Sequence, residues 1–368
     1  MKENETSKKY NNINNSIINL NEGKELIDIN PDNLSLYLNM IGGHSFFVEY
    51  TKKYLIKSVG DKELKFYEFI YRNKINCEYM PEFHGVIEKN TKQHKHIINY
   101  KKKCDIFFKE MVKYFNIKSE DIIVEKDDTS FHKRFNDFIN SKSDFDIKLD
   151  NSFDKLKQEL IIIKNSCQKK FFWIFFWYIK WQKEFISDRY IIIQNLEYET
   201  NSPSILDIKI GNEKKISKET GQVKKFKGAF ESLGCRIMGI SSNNLYFKSR
   251  YDTKDLNENF FINELKLFFD KNNNIIEAVI KELQDIIIFL QNSFFKKIYF
   301  CSLLIFFDNS DKNKIPIVKL IDLDLTNNSK NYDELNSILI NNKDKNINND
   351  GFIKCMNNLI KTLKNLRE

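Results

Sequence analysis

The chain has 368 residues, with 59 lysines and arginines against 51 acidic residues and a formal charge of +8. That length holds one large domain or two lobes with their own cores, and the charge suits a polyanionic partner (nucleic acid, anionic lipid or a phosphorylated small molecule) or a solvated lysine-rich surface. The six cysteines (77, 104, 167, 235, 301 and 355) form no CxxC pair and His94-x-His96 has no supporting Cys or His cluster, so a disulfide scaffold and a structural zinc centre are excluded in favour of a reduced, intracellular (cytoplasmic or nuclear) protein.

Residues 1–30 are polar and Asn-rich and read as a loose arm, with no apolar h-region that would make a signal peptide. "SFFVEYTKKYLIKSV" predicts a hairpin around Thr-Lys-Lys, and "DKELKFYEFIYRN" a helix with Leu64, Phe66, Tyr67 and Ile70 near helical spacing. "MPEFHGVI" opens on a proline and continues as a strand. Residues 89–166 are rich in lysine and aspartate with weak periodicity and read as a partly helical insertion. "FFWIFFWYI" (171–179) is too short to span a membrane, so a buried or partner-facing element and no transmembrane segment is expected, with membrane-surface contact the minor alternative. "RYIIIQNLEYE" (189–199) and "SPSILDIKIG" (202–211) are strands.

A basic stretch follows. As a helix it puts Lys214, Lys218, Gln222 and Lys225 on one face. Residues 233–250 predict two strands around Ser-Ser-Asn-Asn. Residues 273–297 predict a helix whose Ile276, Val279, Ile280, Leu283, Ile286, Ile287 and Leu290 form a full apolar stripe. "YFCSLLIFFD" and "IPIVKLIDLDLT" make a hairpin, and "GFIKCMNNLIKTLKNL" a closing amphipathic helix.

Two strands carry polar groups among apolar ones. Period two places Ile205, Asp207 and Lys209 on one face of their strand, opposite Leu206, Ile208 and Ile210. A charge there must be paired or face a cleft, so a local Asp–Lys pair and a functional cleft are both open. In the late hairpin, a turn centred on Lys312 makes Ser302 and Asp322 cross-strand neighbours. A strand-borne aspartate of this kind suits Mg²⁺. The chain has no GxxxxGK[ST], no GxGxxG, no GxSxG and no HRDxxxxN with a DFG, so it is not a P-loop, Rossmann, α/β-hydrolase or standard protein kinase chain. The aromatic signature of RNA-binding sheets is absent too, and no nucleic-acid partner is expected.

Taken in order, these motifs resemble the inositol polyphosphate kinase family. "PSILDIKIG" (203–211) matches every fixed position of the hallmark PxxxDxKxG. "CSLL" (301–304), "IDL" (321–323) and "GFIKCMNNLI" (351–360) are similar to the family's SSLL, IDF and closing glycine-aromatic motifs. "IGGHSFF" (41–47), "KFYEFI" (65–70), "PEFHGVI" (81–87) and "LGCRIMGI" (233–240) resemble the inositol hexakisphosphate kinase branch.

The resemblance implies an α+β, two-lobed fold like that of protein kinases with ATP between the lobes. The N-terminal lobe would span 31–193, with the insertion at about 89–166, and the C-terminal lobe 194–368. It implies an ATP- and Mg²⁺-dependent kinase, monomeric, acting on an inositol polyphosphate. The expected substrate is the hexakisphosphate, with tris- and tetrakisphosphates the multikinase alternative and a degenerate scaffold the third. By the same resemblance, Lys57 binds ATP phosphates and Glu63 orients it. Gln194 and Leu196 lie in the hinge that holds adenine. Asp207 binds the ribose and touches the inositol, Lys209 faces the transferred phosphate, Asp322 holds Mg²⁺, and Ser302 supports the metal or substrate. Lys214, Lys218, Lys225 and Lys248 would surround the substrate phosphates. Three positions depart from the family pattern: Cys301, Leu323 and Asp324.

Overall fold

The computed structural model describes residues 29–41, 47–72, 78–122, 129–141, 149–183, 185–211, 227–242, 245–253, 255–292, 301–311, 314–322 and 350–367. The first sheet contains β1 (Leu34–Leu36), β2 (Phe47–Tyr50), β3 (Tyr54–Ser58), β4 (Phe83–Glu88) and β5 (Arg189–Gln194), in the order β1-β2-β3-β5-β4. All of its pairs are antiparallel. The β2–β3 hairpin pairs Tyr50 with Tyr54, and its turn residues Thr51 and Lys52 both take positive φ. That twist matches the right-handed twist of the strands it joins. α1 (Asp61–Arg72) follows β3, and the expected Leu64, Phe66, Tyr67 and Ile70 are all buried.

This sheet is covered on both faces, so the "YIII" of its interior strand β5 is apolar throughout instead of alternating. Ile191 and Ile193 pack into one core with α1, while Tyr190 and Ile192 pack into a second core with the helical region that follows β4. That region contains α2 (Lys92–Tyr114), α3 (Thr129–Asn140), α4 (Asn151–Ser166) and α5 (Gln168–Trp181). Thr91 caps α2 by accepting from the His94 N–H at 3.1 Å, and Asp150 caps α4 by accepting from the Ser152 N–H at 3.1 Å. The described residues of the expected partly helical insertion therefore form helices, and these pack into a core shared with the first sheet. Phe108 stacks on Tyr178 with ring centroids 3.9 Å apart and meets Phe175 edge-on. The aromatic run is buried nearly all round: Trp173, Ile174, Phe175, Phe176, Trp177, Tyr178 and Ile179 are inaccessible. No helix among the described residues is long and apolar enough to cross a membrane.

The chain passes to the second sheet between Gln194 and Pro203. This sheet contains β6 (Pro203–Ile210), β7 (Cys235–Ser242), β8 (Tyr246–Lys248), β9 (Cys301–Asp308) and β10 (Ile317–Ile321), ordered β10-β9-β6-β7-β8 and antiparallel throughout. β6, which carries PxxxDxKxG, is central. Short helices α6 (Ala229–Ser232) and α7 (Arg250–Thr253) flank β7 and β8, and α8 (Glu258–Phe269), α9 (Asn273–Asn292) and α10 (Asp350–Asn365) complete the lobe. All seven residues of the expected α9 stripe are buried against the core face of the sheet.

The register of the β9–β10 hairpin differs from expectation by one residue. Ser302 lies opposite Ile321, not Asp322. The strand ends at Ile321 because Asp322 turns into the left-handed region at φ 53°, a conformation that a short polar side chain tolerates better than most.

Candidate active site

The two sheets face each other across a pocket. Phe47, Leu55 and Ile193 line it from the first sheet, and Ile205, Leu304 and Phe306 from the second. Two apolar walls of this kind suit a flat aromatic ring. At the back, the 194–197 segment closes the slot and is pinned by backbone: the Gln194 N–H donates to the Glu82 carbonyl at 2.8 Å and the Asn195 N–H to Lys53 O at 2.8 Å. The Asn195 side chain adds a bond to Lys52 O at 2.7 Å. Gln194 and Leu196, both expected in a hinge, line the pocket here.

The charged end is built from three elements. β3 presents Lys57, which is buried. α1 returns Glu63 to it, Nζ to Oε1 2.6 Å, and the turn after β10 brings Asp322, Nζ to Oδ1 3.0 Å. Burial opposes the ammonium charge, but Asp322 and Glu63 outweigh it and hold Lys57 above its ordinary range. The Lys57–Glu63 contact matches the sequence expectation. The Asp322 contact was not foreseen and depends on the left-handed turn at that residue.

Across the pocket floor stands Asp207, buried on β6. Burial and the neighbouring Asp322 carboxylate push its carboxyl up to about 7, against a hydrogen bond from Ser302 and the pull of Lys209 and Arg236. Its Oδ1 is buried and accepts no hydrogen bond. Ser302 reaches Asp207 because it pairs with Lys209 across the β6–β9 ladder and so shares its face. Period two had placed Asp207 and Lys209 on one face, and that face is the one turned to the pocket.

Asp322 and Asp207 thus direct carboxylate oxygens into one space, and Asp322 is half exposed to it. No cluster of three or more metal-ligating side chains occurs among the described residues. The donor set fits a divalent cation of the Mg²⁺ type, which takes one or two carboxylates and completes its shell with phosphate and water oxygens.

Sequence reasoning missed the pocket's side wall, residues 37–41. It is held from three directions. Glu197 accepts from the Tyr37 hydroxyl and from Asn39 Nδ2 at 2.5 Å. Trp173 of α5 donates to Met40 O at 2.8 Å. Gly239 on β7 lets Ile41 approach so closely that a Cβ there would lie 2.2 Å from the Ile41 oxygen. Lys170 of α5 completes the cluster, Nζ to Asn39 Oδ1 2.6 Å. Burial raises Glu197 and lowers Lys170, while each is drawn back by the other's charge. These groups come from four separate segments, and no spacing in the sequence joins them.

Not every expected residue converges. Lys248 lies on edge strand β8 and pairs with the buried Glu264, outside the pocket lining. Lys214, Lys218 and Lys225 fall outside the described residues, as do Leu323 and Asp324.

Residues 190–364 match the family model described as inositol polyphosphate kinase. The matched span holds Asp207, Lys209, Ser302 and Asp322, while Lys57 and Glu63 precede it. No curated protein matches the chain by sequence. Solved structures similar to it include the inositol phosphate multikinase Ipk2 from S. cerevisiae in complex with ADP and Mn²⁺ (18% identity, 49% of this chain and 84% of that one, TM-score 0.36). A second inositol phosphate multikinase structure is 19% identical over 47% of this chain and 84% of its own, with a TM-score of 0.35.

Proposed function

We propose that this kinase transfers the γ-phosphate of ATP to an inositol polyphosphate, with the hexakisphosphate its principal substrate and a diphosphoinositol phosphate the product. The observation that carries the phosphotransfer reading is the convergence of Lys57, Glu63 and Asp322 opposite Asp207 at one end of an apolar slot. In this reading adenine enters the slot against Gln194 and Leu196, and Asp207 takes the ribose hydroxyls. Lys57, oriented by Glu63, holds the ATP phosphates. Asp322 holds Mg²⁺, which when bound neutralises charge on the β- and γ-phosphates.

Lys209 follows Asp207 on the same face and meets the moving phosphate, offsetting charge on its equatorial oxygens. Ser302 acts on Asp207 by hydrogen bonding its carboxylate, a role sharper than general support of metal or substrate. No covalent nucleophile is required, because positioning and charge neutralisation suffice for in-line transfer. The hexakisphosphate preference rests on the resemblance of "IGGHSFF" and "LGCRIMGI" to that branch. Lys214, Lys218 and Lys225 supply charge for the substrate phosphates.

The test is turnover with ATP, Mg²⁺ and a panel of inositol phosphates, followed as ADP and product. Turnover of the hexakisphosphate is expected. Turnover restricted to tris- or tetrakisphosphates moves the assignment to a multikinase, and ATP binding without turnover to a scaffold. Asp322→Ala is expected to cut the rate by roughly a hundredfold to a thousandfold with an unchanged circular dichroism spectrum. Unchanged activity removes the metal assignment.

A further inference from the structure

One strand beyond Lys209 the structure holds a cation with no role in the reaction described so far. Arg236 on β7 is the direct cross-strand partner of Lys209 on β6, so both side chains emerge on the face that carries Asp207. The match survives an irregularity in the ladder: the register shifts between Asp207 and Ile208, where Ile208 pairs with Ile237 and Asp207 with Gly239. The skipped residue, Met238, takes up the shift, and the pairing of Lys209 with Arg236 is kept.

The Arg236 guanidinium rests on the Phe230 ring of α6, 5.3 Å from its centroid. Its Nε is buried and has no hydrogen-bond partner. Arg250, at the start of α7, stands near enough to oppose its charge, while Asp255 and Asp207 favour it. The planar fork of donors that a guanidinium presents matches the oxygens of a phosphate. Lys209 of β6, Arg236 of β7 and Arg250 of α7 outnumber the two carboxylates, Asp207 and Asp255, that act on this guanidinium, and its buried Nε is an unused donor for an anion.

We propose that Arg236, with Lys209 and Arg250, forms a second phosphate subsite that grips a non-reacting phosphate of the inositol polyphosphate and so favours densely phosphorylated substrates. The inference rests on the kinase reading above and adds a specificity-determining residue to it. Lys209 would meet the phosphate in transit, and Arg236 one held beside it on the same ring. A substrate with fewer phosphates leaves Arg236 unpaired, and its selectivity penalty follows from that.

The experiment uses the full chain, wild type, Arg236→Gln and Arg236→Lys. It measures calorimetric binding of inositol hexakisphosphate without ATP, together with steady-state KM and kcat for both substrates. For Arg236→Gln, hexakisphosphate binding is expected to weaken roughly tenfold to hundredfold, the scale of a lost charged hydrogen bond. KM for ATP should stay constant and kcat change far less than KM for the inositol substrate. Arg236→Lys, which keeps the charge but not the fork, should fall between; it also carries the test if the glutamine variant does not fold. The proposal is overturned if hexakisphosphate binding is unchanged in both variants, or if the KM values for ATP and inositol rise together, as a structural role would produce. Wild-type protein that binds no inositol polyphosphate overturns the kinase reading as well, whereas wild-type binding with unaltered variants overturns the subsite alone.

Discussion

The second sheet and the helical region 92–181 answer different questions with different kinds of sequence. In the second sheet a few polar residues at fixed spacing share the face turned to the pocket: Asp207 and Lys209 are two apart on β6, and Ser302 sits beside them on β9. Among the described residues, the helical region contributes none to the pocket lining. Its residues instead build a second core from rings such as Phe107, Phe108, Phe153 and Phe175. The difference teaches that the second sheet joins Lys57 and Glu63 in supplying charged groups to the site, while the helical region braces the wall at residues 37–41 through Trp173 and Lys170.

That division can be broken or sharpened by experiment. The largest effect is expected for Phe108→Ala, a fully buried ring stacked on Tyr178. It should lower stability by about 3–5 kcal/mol in chemical denaturation, while kcat of the still-folded fraction stays near wild type. A collapse of kcat at temperatures where the variant is folded would erase the distinction between bracing and chemistry.

Lys170→Met is the next largest. It strands Glu197 and Asn39 in a buried cluster, and the loss should be about 1–3 kcal/mol. It should also raise KM for ATP more than it lowers kcat, because the wall it supports faces the slot proposed for the nucleotide. Pairing it with Glu197→Gln should recover part of the loss, and strict additivity of the two changes would show that they do not interact.

The smallest effect is confined to the second sheet. Asp308, at the end of β9, accepts from the backbone N–H groups of Asn201, Ser202 and Ser310. Burial works against its charge, but these bonds and the Ser310 hydroxyl prevail and hold it at about 2, below its ordinary 3.8. The stability it supplies is complete above the unfolded value and is lost as pH falls from about 4 towards 2. Melting temperatures between pH 5 and pH 3 should therefore fall more steeply for wild type than for Asp308→Asn, and parallel slopes would remove Asp308 from the acid response.

Much of the site was legible because strands translate spacing into geometry. A period of two sets Asp207 and Lys209 on one face whatever the surroundings, and a helix entered straight from β3 returns Glu63 to Lys57. Asp322 was legible in kind but not in register, since the left-handed turn that ends β10 depends on local conformation and not on apolar pattern. The helices at 92–166 were obscured because lysines and aspartates crowd their exposed faces: Lys155 and Glu159, an exposed i,i+4 pair, lie on the same helix as buried Leu156 and Leu160. Glu197, Asn39 and Lys170 were illegible outright. Their meeting is produced by three segments folding together, and Lys170 reads in the sequence as one more surface cation.

Gly239 carries a further consequence. Because its bare backbone is the seat on which Ile41 rests, the wall of the slot is fastened to β7 of one lobe and to α5 of the other at once. A ligand that tightens this wall draws its binding energy from both lobes, and by linkage must stabilise both. Saturating nucleotide should thus slow amide exchange in α5, far from any phosphate, as strongly as in β6.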